Sequence, residues 1–246
     1  MSTVVYLVRH GEVEHHRTDV SLTPRGRAQA EAAAAAFTGR IADGDTVSIQ
    51  HSSVTRVQET AELLHVGLAS TLAAAGRAER VLISRPGPDV ALCNVRFCWG
   101  QDQEPQEPSL LYAQINTPAY LQSVLPARAD FYRGFWASRD PMGYWLTHDS
   151  AGAAETSGVV WARIQERLRN VFDEDASHVR AHWIGVTHSG SMRVVLREAF
   201  GVDPGEPDFC EVIVIEPTGD ADNVRLTHRD RSAPLLLPTK RTAPAR

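Results

Sequence analysis

Short β-branched runs at residues 4–8, 46–50, 80–84, 182–187 and 211–216 alternate along the chain with helical patterns at 23–37, 54–66, 157–172 and 189–200. Each run is bounded by polar, Gly or Pro residues and has the length of a strand. Strands separated by helices are joined by crossovers, which makes them parallel neighbours in one sheet with helices on both faces. The expected fold class is therefore α/β, a three-layer α/β/α sandwich around a mostly parallel central sheet. Local signals agree. Thr23-Pro24 offers an N-cap followed by Pro at the first helical position, and Gly201 stops the helix at 189–200.

Residues 86–152 break this alternation. They contain no convincing buried strand, hold Trp99, Trp136 and Trp145, and read as an insertion of loops and helices, with a helix at 118–136, capping a single domain that spans 1–246. The Phe135-Trp136 and Tyr144-Trp145 pairs read equally as core packing of that insertion or as an apolar wall for an organic group. The Pro-punctuated, polar stretch 234–246 reads as a frayed tail.

Composition narrows the partners. With 25 Lys+Arg against 30 Asp+Glu the formal charge is -5, so the cationic surplus that a general nucleic-acid binder needs is missing. No stretch approaches the ~20 apolar residues of a membrane span, and residues 1–10 lack the basic start and cleavage site of a signal peptide. Cys93, Cys98 and Cys210 are an odd number in a chain long enough to fold without staples. A reducing, cytoplasmic setting is expected. Lys240 is the sole lysine, so any buried phosphate contact falls to Arg or His.

The chemistry-bearing residues begin with Leu7-Val8-Arg9-His10-Gly11-Glu12, where an apolar strand ends in a cation, an imidazole and a glycine. Ligands of open α/β sheets sit at the carboxyl ends of strands. Arg supplies a fork for bidentate phosphate contact, His a nucleophile, and Gly a backbone that allows close approach. Alone, a tripeptide of this kind is as compatible with a surface turn. Three further pieces also fall at strand ends or helix starts. They are Leu22-Thr23-Pro24-Arg25-Gly26, then His51-Ser52-Ser53 with Arg56 and Glu59-Thr60-Ala61, then Gly185-Val186-Thr187-His188-Ser189-Gly190.

In their order and spacing these four pieces resemble the histidine phosphatase superfamily, with its phosphoglycerate-mutase-like fold. The resemblance covers the first ~65 residues and the region from about Glu155 to Phe200. It implies that His10 accepts the phosphoryl group, that Arg9, Arg56 and His188 form the phosphate pocket, and that a backbone carbonyl near Gly11 fixes the His10 tautomer. Two Arg and one His supply the positive charge that a loose phosphoryl transition state requires, without a metal or other cofactor.

The acid departs from the family pattern. Where many members carry Glu in a Leu-x-Glu context, this chain has Leu92-Cys93-Asn94, and Asn94 cannot deliver a proton. Glu104 is the expected substitute, with Asp102, Glu107 and Glu12 behind it. Glu155, followed by Arg163, partly resembles a family element near the pocket; a helix N-terminal carboxylate is the alternative. Glu12, Glu14, His15 and His16 form a rival, metal-type constellation, which adjacent imidazoles at 15 and 16 make awkward. The resulting expectation is a metal-independent phosphatase acting on a small phosphorylated molecule through a phosphohistidine on His10. A phosphomutase and a catalytically weak phospho-ligand binding protein are the alternatives. The substrate and the oligomeric state are not readable from the chain.

Overall fold

The computed structural model describes residues 3–100, 103–173, 179–220 and 222–237. Its axis is β1 (Val4–Arg9), buried along its whole length, pairing in parallel with β5 (Ala181–Thr187) and antiparallel with β6 (Val212–Pro217). Beyond β5 lies β2 (Thr46–His51), and the short β3 (Leu82–Ile83) and β4 (Gly87–Pro88) pair in parallel with successive parts of it. Beyond β6, β7 (Asn223–His228) and β8 (Arg231–Leu236) extend the sheet antiparallel. The order is β3-β2-β5-β1-β6-β7-β8, parallel in the core and antiparallel towards one edge.

An all-apolar central strand needs cover on both faces, and period-2 alternation decides what covers which. Val4, Tyr6 and Val8 pack with Phe37 of α1 (Pro24–Thr38) and Leu64 of α2 (Thr55–Ala74). Val5 and Leu7 face the opposite cluster, with Ile164 of α7 (Ser157–Asp173) and Val194 of α8 (Ser189–Phe200). The sheet is thus flanked by helices on both sides, as the alternation of elements implies.

Several boundaries differ from expectation. The helix expected to end at 66 runs on to Ala74, burying Leu64, Leu68 and Leu72 at four-residue spacing. Its interior Gly67 is a packing residue: a Cβ there would stand 2.6 Å from the Cβ of Ala34 on α1. The helix expected at 118–136 is two, α4 (Pro118–Ser123) and α5 (Pro126–Ala137), because Leu125 precedes a proline and takes an extended ψ of 139°. The inserted segment also contributes α3 (Pro108–Ile115), α6 (Pro141–Thr147) and the short β4. The expected tail starts too early, since Pro234 belongs to β8, an edge strand where its missing N–H breaks no ladder. Its residues 238–246 lie outside the described residues.

Candidate active site

Because β1, β2 and β5 run parallel, their carboxyl ends reach the same rim: Arg9 pairs with Thr187 and His51 with Val186. The residues that follow, His10, Ser52 and His188, therefore converge, and Arg56 arrives from the first turn of α2. All four are buried, as is Arg9. His10, His188, Arg56 and Arg9 border one cleft, with Ser52 behind His188.

His10 Nδ1 lies 2.8 Å from the Gly11 carbonyl oxygen. A carbonyl only accepts, so Nδ1 carries the hydrogen and Nε2 keeps a free lone pair. Burial pushes the His10 pKa well below its ordinary value, and Arg56, His188 and Arg9 push it further, so the ring is neutral at pH 7. His188 is edge-on to it, with ring centroids 5.4 Å apart.

The loop that holds His10 rests on the start of α1. Thr23 caps that helix by accepting from the Gly26 N–H at 3.0 Å, and its own N–H donates to the Glu12 carbonyl at 3.0 Å. Gly26 is obligatory there, since a Cβ would stand 2.2 Å from the Glu12 carbonyl oxygen. Thr60 ties the same loop to α2 by accepting from the Gly11 N–H at 3.0 Å. These contacts give a physical reason for the sequence pieces around residues 22–26 and 59–61.

Both arginines already face carboxylates. Arg9 stands 2.8 Å from Glu206, donates to the Pro207 carbonyl and lies over the Phe209 ring at 4.0 Å. Arg56 stands 3.6 Å from Glu107 and 3.8 Å from Asp19, and donates to Ser109 Oγ at 3.3 Å. Asp19 also accepts from the Thr55 N–H at 3.0 Å, capping α2 from a distance. The Nε of each arginine is buried without a hydrogen-bond partner.

Of the acid candidates read from the sequence, Glu107 rather than Glu104 packs against the histidine and arginine of the pocket. Neither Glu104 nor Glu107 lines the cleft itself; Glu104 is exposed, whereas Glu107 is buried 3.2 Å from His188 Nε2, with Ser52 Oγ 2.8 Å from the same nitrogen. Glu107 also accepts from the Asn94 N–H at 3.2 Å. Burial alone would raise its pKa, but His188, Arg56 and that N–H outweigh it and hold the carboxyl at about 2. His188 is lowered by its own burial despite Glu107, so it is a neutral imidazole donating an N–H to a carboxylate. Asn94 borders the cleft, and Asp102 lies outside the described residues.

Glu155 acts behind the cleft. It accepts from Arg96 and from Arg163 Nη1 at 3.0 Å, while Arg163 Nη2 donates to the carbonyls of Cys93 and Asn94 at 2.8 and 3.0 Å, pinning the Asn94 segment. The metal-type set is spread out. Glu12 binds Thr23 at 3.0 Å, His16 sits 5.6 Å from His10 by ring centroids, and among the described residues no group of three His, Cys, Asp or Glu could share an ion. Among the same residues no helix is long and apolar enough to cross a membrane. Glu206 was not singled out from sequence; it sits in a loop after α8 with no periodicity or motif to mark it. Of the aromatic pairs, Phe135 and Trp136 border the cleft, while Trp145 is core and donates to the Glu155 carbonyl at 2.8 Å.

A family profile described as "Histidine phosphatase superfamily (branch 1)" matches residues 5–75 and 136–229, together more than half of the chain, and skips most of the insertion. No curated protein matches the sequence. Among solved structures, mycobacterial glucosyl-3-phosphoglycerate phosphatase in complex with VO3 is similar at 18% identity and TM-score 0.53, over 94% of this chain and 99% of that one. Its complex with inorganic phosphate gives 18% and 0.54, over 92% and 95%. The product of the open reading frame Rv3214 of Mycobacterium tuberculosis gives 16% and 0.51, over 97% and 100%. At such identities the likeness is one of fold.

Proposed function

This chain belongs to the histidine phosphatase superfamily, and from that premise we propose that it is a metal-independent phosphatase that hydrolyses a small phosphomonoester through a phosphohistidine on His10. One observation carries the reading: His10 is buried, neutral and fixed with Nδ1–H on the Gly11 carbonyl, leaving Nε2 as the available nucleophile beside Arg9, Arg56 and His188. The phosphoryl oxygens take their hydrogen bonds from the two guanidinium groups, in part by displacing Glu206 from Arg9. The first turn of α8, whose N-cap is His188, adds free backbone N–H groups at the same place. As Nε2 bonds to phosphorus, the ester P–O bond breaks, and the leaving oxygen takes a proton. Water then attacks the phosphohistidine and frees His10.

For the proton we favour Glu107 over Glu104. In the free enzyme Glu107 is ionised, but a phosphate dianion against Arg56 and His188 competes for the groups that hold it so and raises its pKa. Its Oε2, buried with no hydrogen-bond partner, is the atom to carry that proton. The test is turnover of p-nitrophenyl phosphate in EDTA by wild type and His10→Ala at equal fold stability. Wild-type release of nitrophenol that His10→Ala lacks supports the reading; no release by wild type sinks it in favour of a binding protein.

A further inference from the structure

The cleft has two unlike sides. The strand-end side carries the phosphate machinery, and the opposite side is built by the insertion: Pro108 from α3, Phe135 and Trp136 from the end of α5, Pro141 and Met142 from the start of α6. That side offers carbon to a leaving group. Trp136 is wedged edge-on between Tyr112 and Phe135, with ring centroids 4.7 and 5.0 Å apart, so the wall is fixed in shape.

Charge points the same way. Among the described residues bordering the cleft, the permanent cations are Arg9 and Arg56, and each already has a carboxylate partner, Glu206 at 2.8 Å and Glu107 at 3.6 Å. His10 and His188 are buried and lowered by that burial, so these two imidazoles add no charge near pH 7. A phosphomonoester dianion takes up both guanidinium groups. A second anion on the same substrate would be desolvated against the aromatic wall beside Glu206, with no further arginine among the residues that line the cleft; Arg17 lies outside it, over the Tyr112 ring.

We propose that the substrate's leaving group is an uncharged, predominantly apolar alcohol, selected by the Phe135–Trp136–Met142 wall and by Glu206, and that carboxylated and doubly phosphorylated esters are excluded. This rests on the phosphatase reading above. Glu206 is itself held in place from the protein side, accepting from Ser189 Oγ at 2.5 Å and standing 3.3 Å from the buried Arg193. When the phosphate takes its place on Arg9, Ser189 and Arg193 still hold the other carboxylate oxygen, so the negative charge stays on the rim.

The test compares kcat/KM for benzyl phosphate, glycerol 3-phosphate and 3-phosphoglycerate, three esters of primary alcohols that differ in what lies beyond the reacting oxygen. We expect benzyl phosphate to exceed 3-phosphoglycerate by at least 100-fold and Glu206→Gln to narrow that ratio at least fivefold. Trp136→Ala should raise KM for benzyl phosphate about tenfold more than it raises KM for glycerol 3-phosphate. If Trp136→Ala does not fold, Met142→Ser provides the same comparison. Equal or better turnover of 3-phosphoglycerate overturns the selectivity and leaves the phosphatase reading standing. Absence of turnover on every ester, with no phosphohistidine formed from p-nitrophenyl phosphate, overturns both.

Discussion

Replacing Glu107 by Gln tests whether a buried carboxylate organises the pocket. Its carboxyl is held at about 2 against an ordinary 4.5, a shift of 2.5 in pKa. At 1.36 kcal/mol per pKa unit this corresponds to about 3 kcal/mol of folding stability. His188 is neutral and contributes an N–H rather than a full charge, which brings the expected loss in Glu107→Gln to about 2 kcal/mol at pH 7. The sign follows from the depressed native pKa. The contribution is complete above the unfolded value of 4.5 and is lost as pH falls towards about 2. The stability difference between wild type and variant, measured by urea unfolding at pH 7, 5, 4 and 3, should hold from pH 7 to 5 and fall below about half by pH 3. A difference that stays constant over the whole series would show that Glu107 acts by packing, and the electrostatic reasoning would be wrong.

Other expectations follow from the same contacts. Glu107→Gln should slow alkyl phosphates by roughly 10²–10⁴ and p-nitrophenyl phosphate far less, with Glu104→Gln near wild type on both; equal losses on both ester types in Glu107→Gln would remove it from the acid role. Gly26→Ala forces the Glu12 carbonyl away and should cost about 1–3 kcal/mol together with activity, read as Tm and kcat; an unchanged Tm would contradict the close packing of this loop. Arg193, buried and paired with Asp140, Asp203 and Glu206, joins the insertion to α8, so Arg193→Met should cost about 3 kcal/mol, the low end for a broken buried pair because Asp140 and Glu206 keep solvent contact. Because burial and nearby cations keep His10 neutral, single-turnover phosphorylation should not show the roughly threefold fall from pH 7 to 6 that a free imidazole would give. Such a fall in stopped-flow traces, after division by the fraction of substrate present as dianion, would mean that His10 titrates normally.

What the sequence made legible was whatever one strand end or helix start encodes by itself. Arg9-His10-Gly11, Arg56 and His188 each follow a strand, and parallel pairing brings them to one rim without further information. Helix α8 was readable to the residue because a strand-end imidazole and a glycine bracket it. Strands β7 and β8 were missed for opposite reasons. In β7, Val224, Leu226 and His228 do alternate inward, a signal that was present; in β8, Pro234 argues against a strand unless the chain is known to lie at an edge. The acid was the harder case. Glu104 and Glu107 differ by three residues in a loop, and the discriminating fact, that the chain turns into α3 with residue 107 against His188, is a tertiary one. Glu206 is marked by its partners Arg9, Ser189 and Arg193, which lie far from it in sequence or on another element.

The most direct measurement is rapid-quench mass determination of the protein mixed with p-nitrophenyl phosphate in EDTA, for wild type and His10→Ala. A phosphoryl adduct in wild type, located on the peptide that contains His10, labile to acid and absent from His10→Ala, is the predicted result. Nitrophenol released with no adduct at any quench time, or an adduct that persists in His10→Ala, would contradict a phosphohistidine on His10.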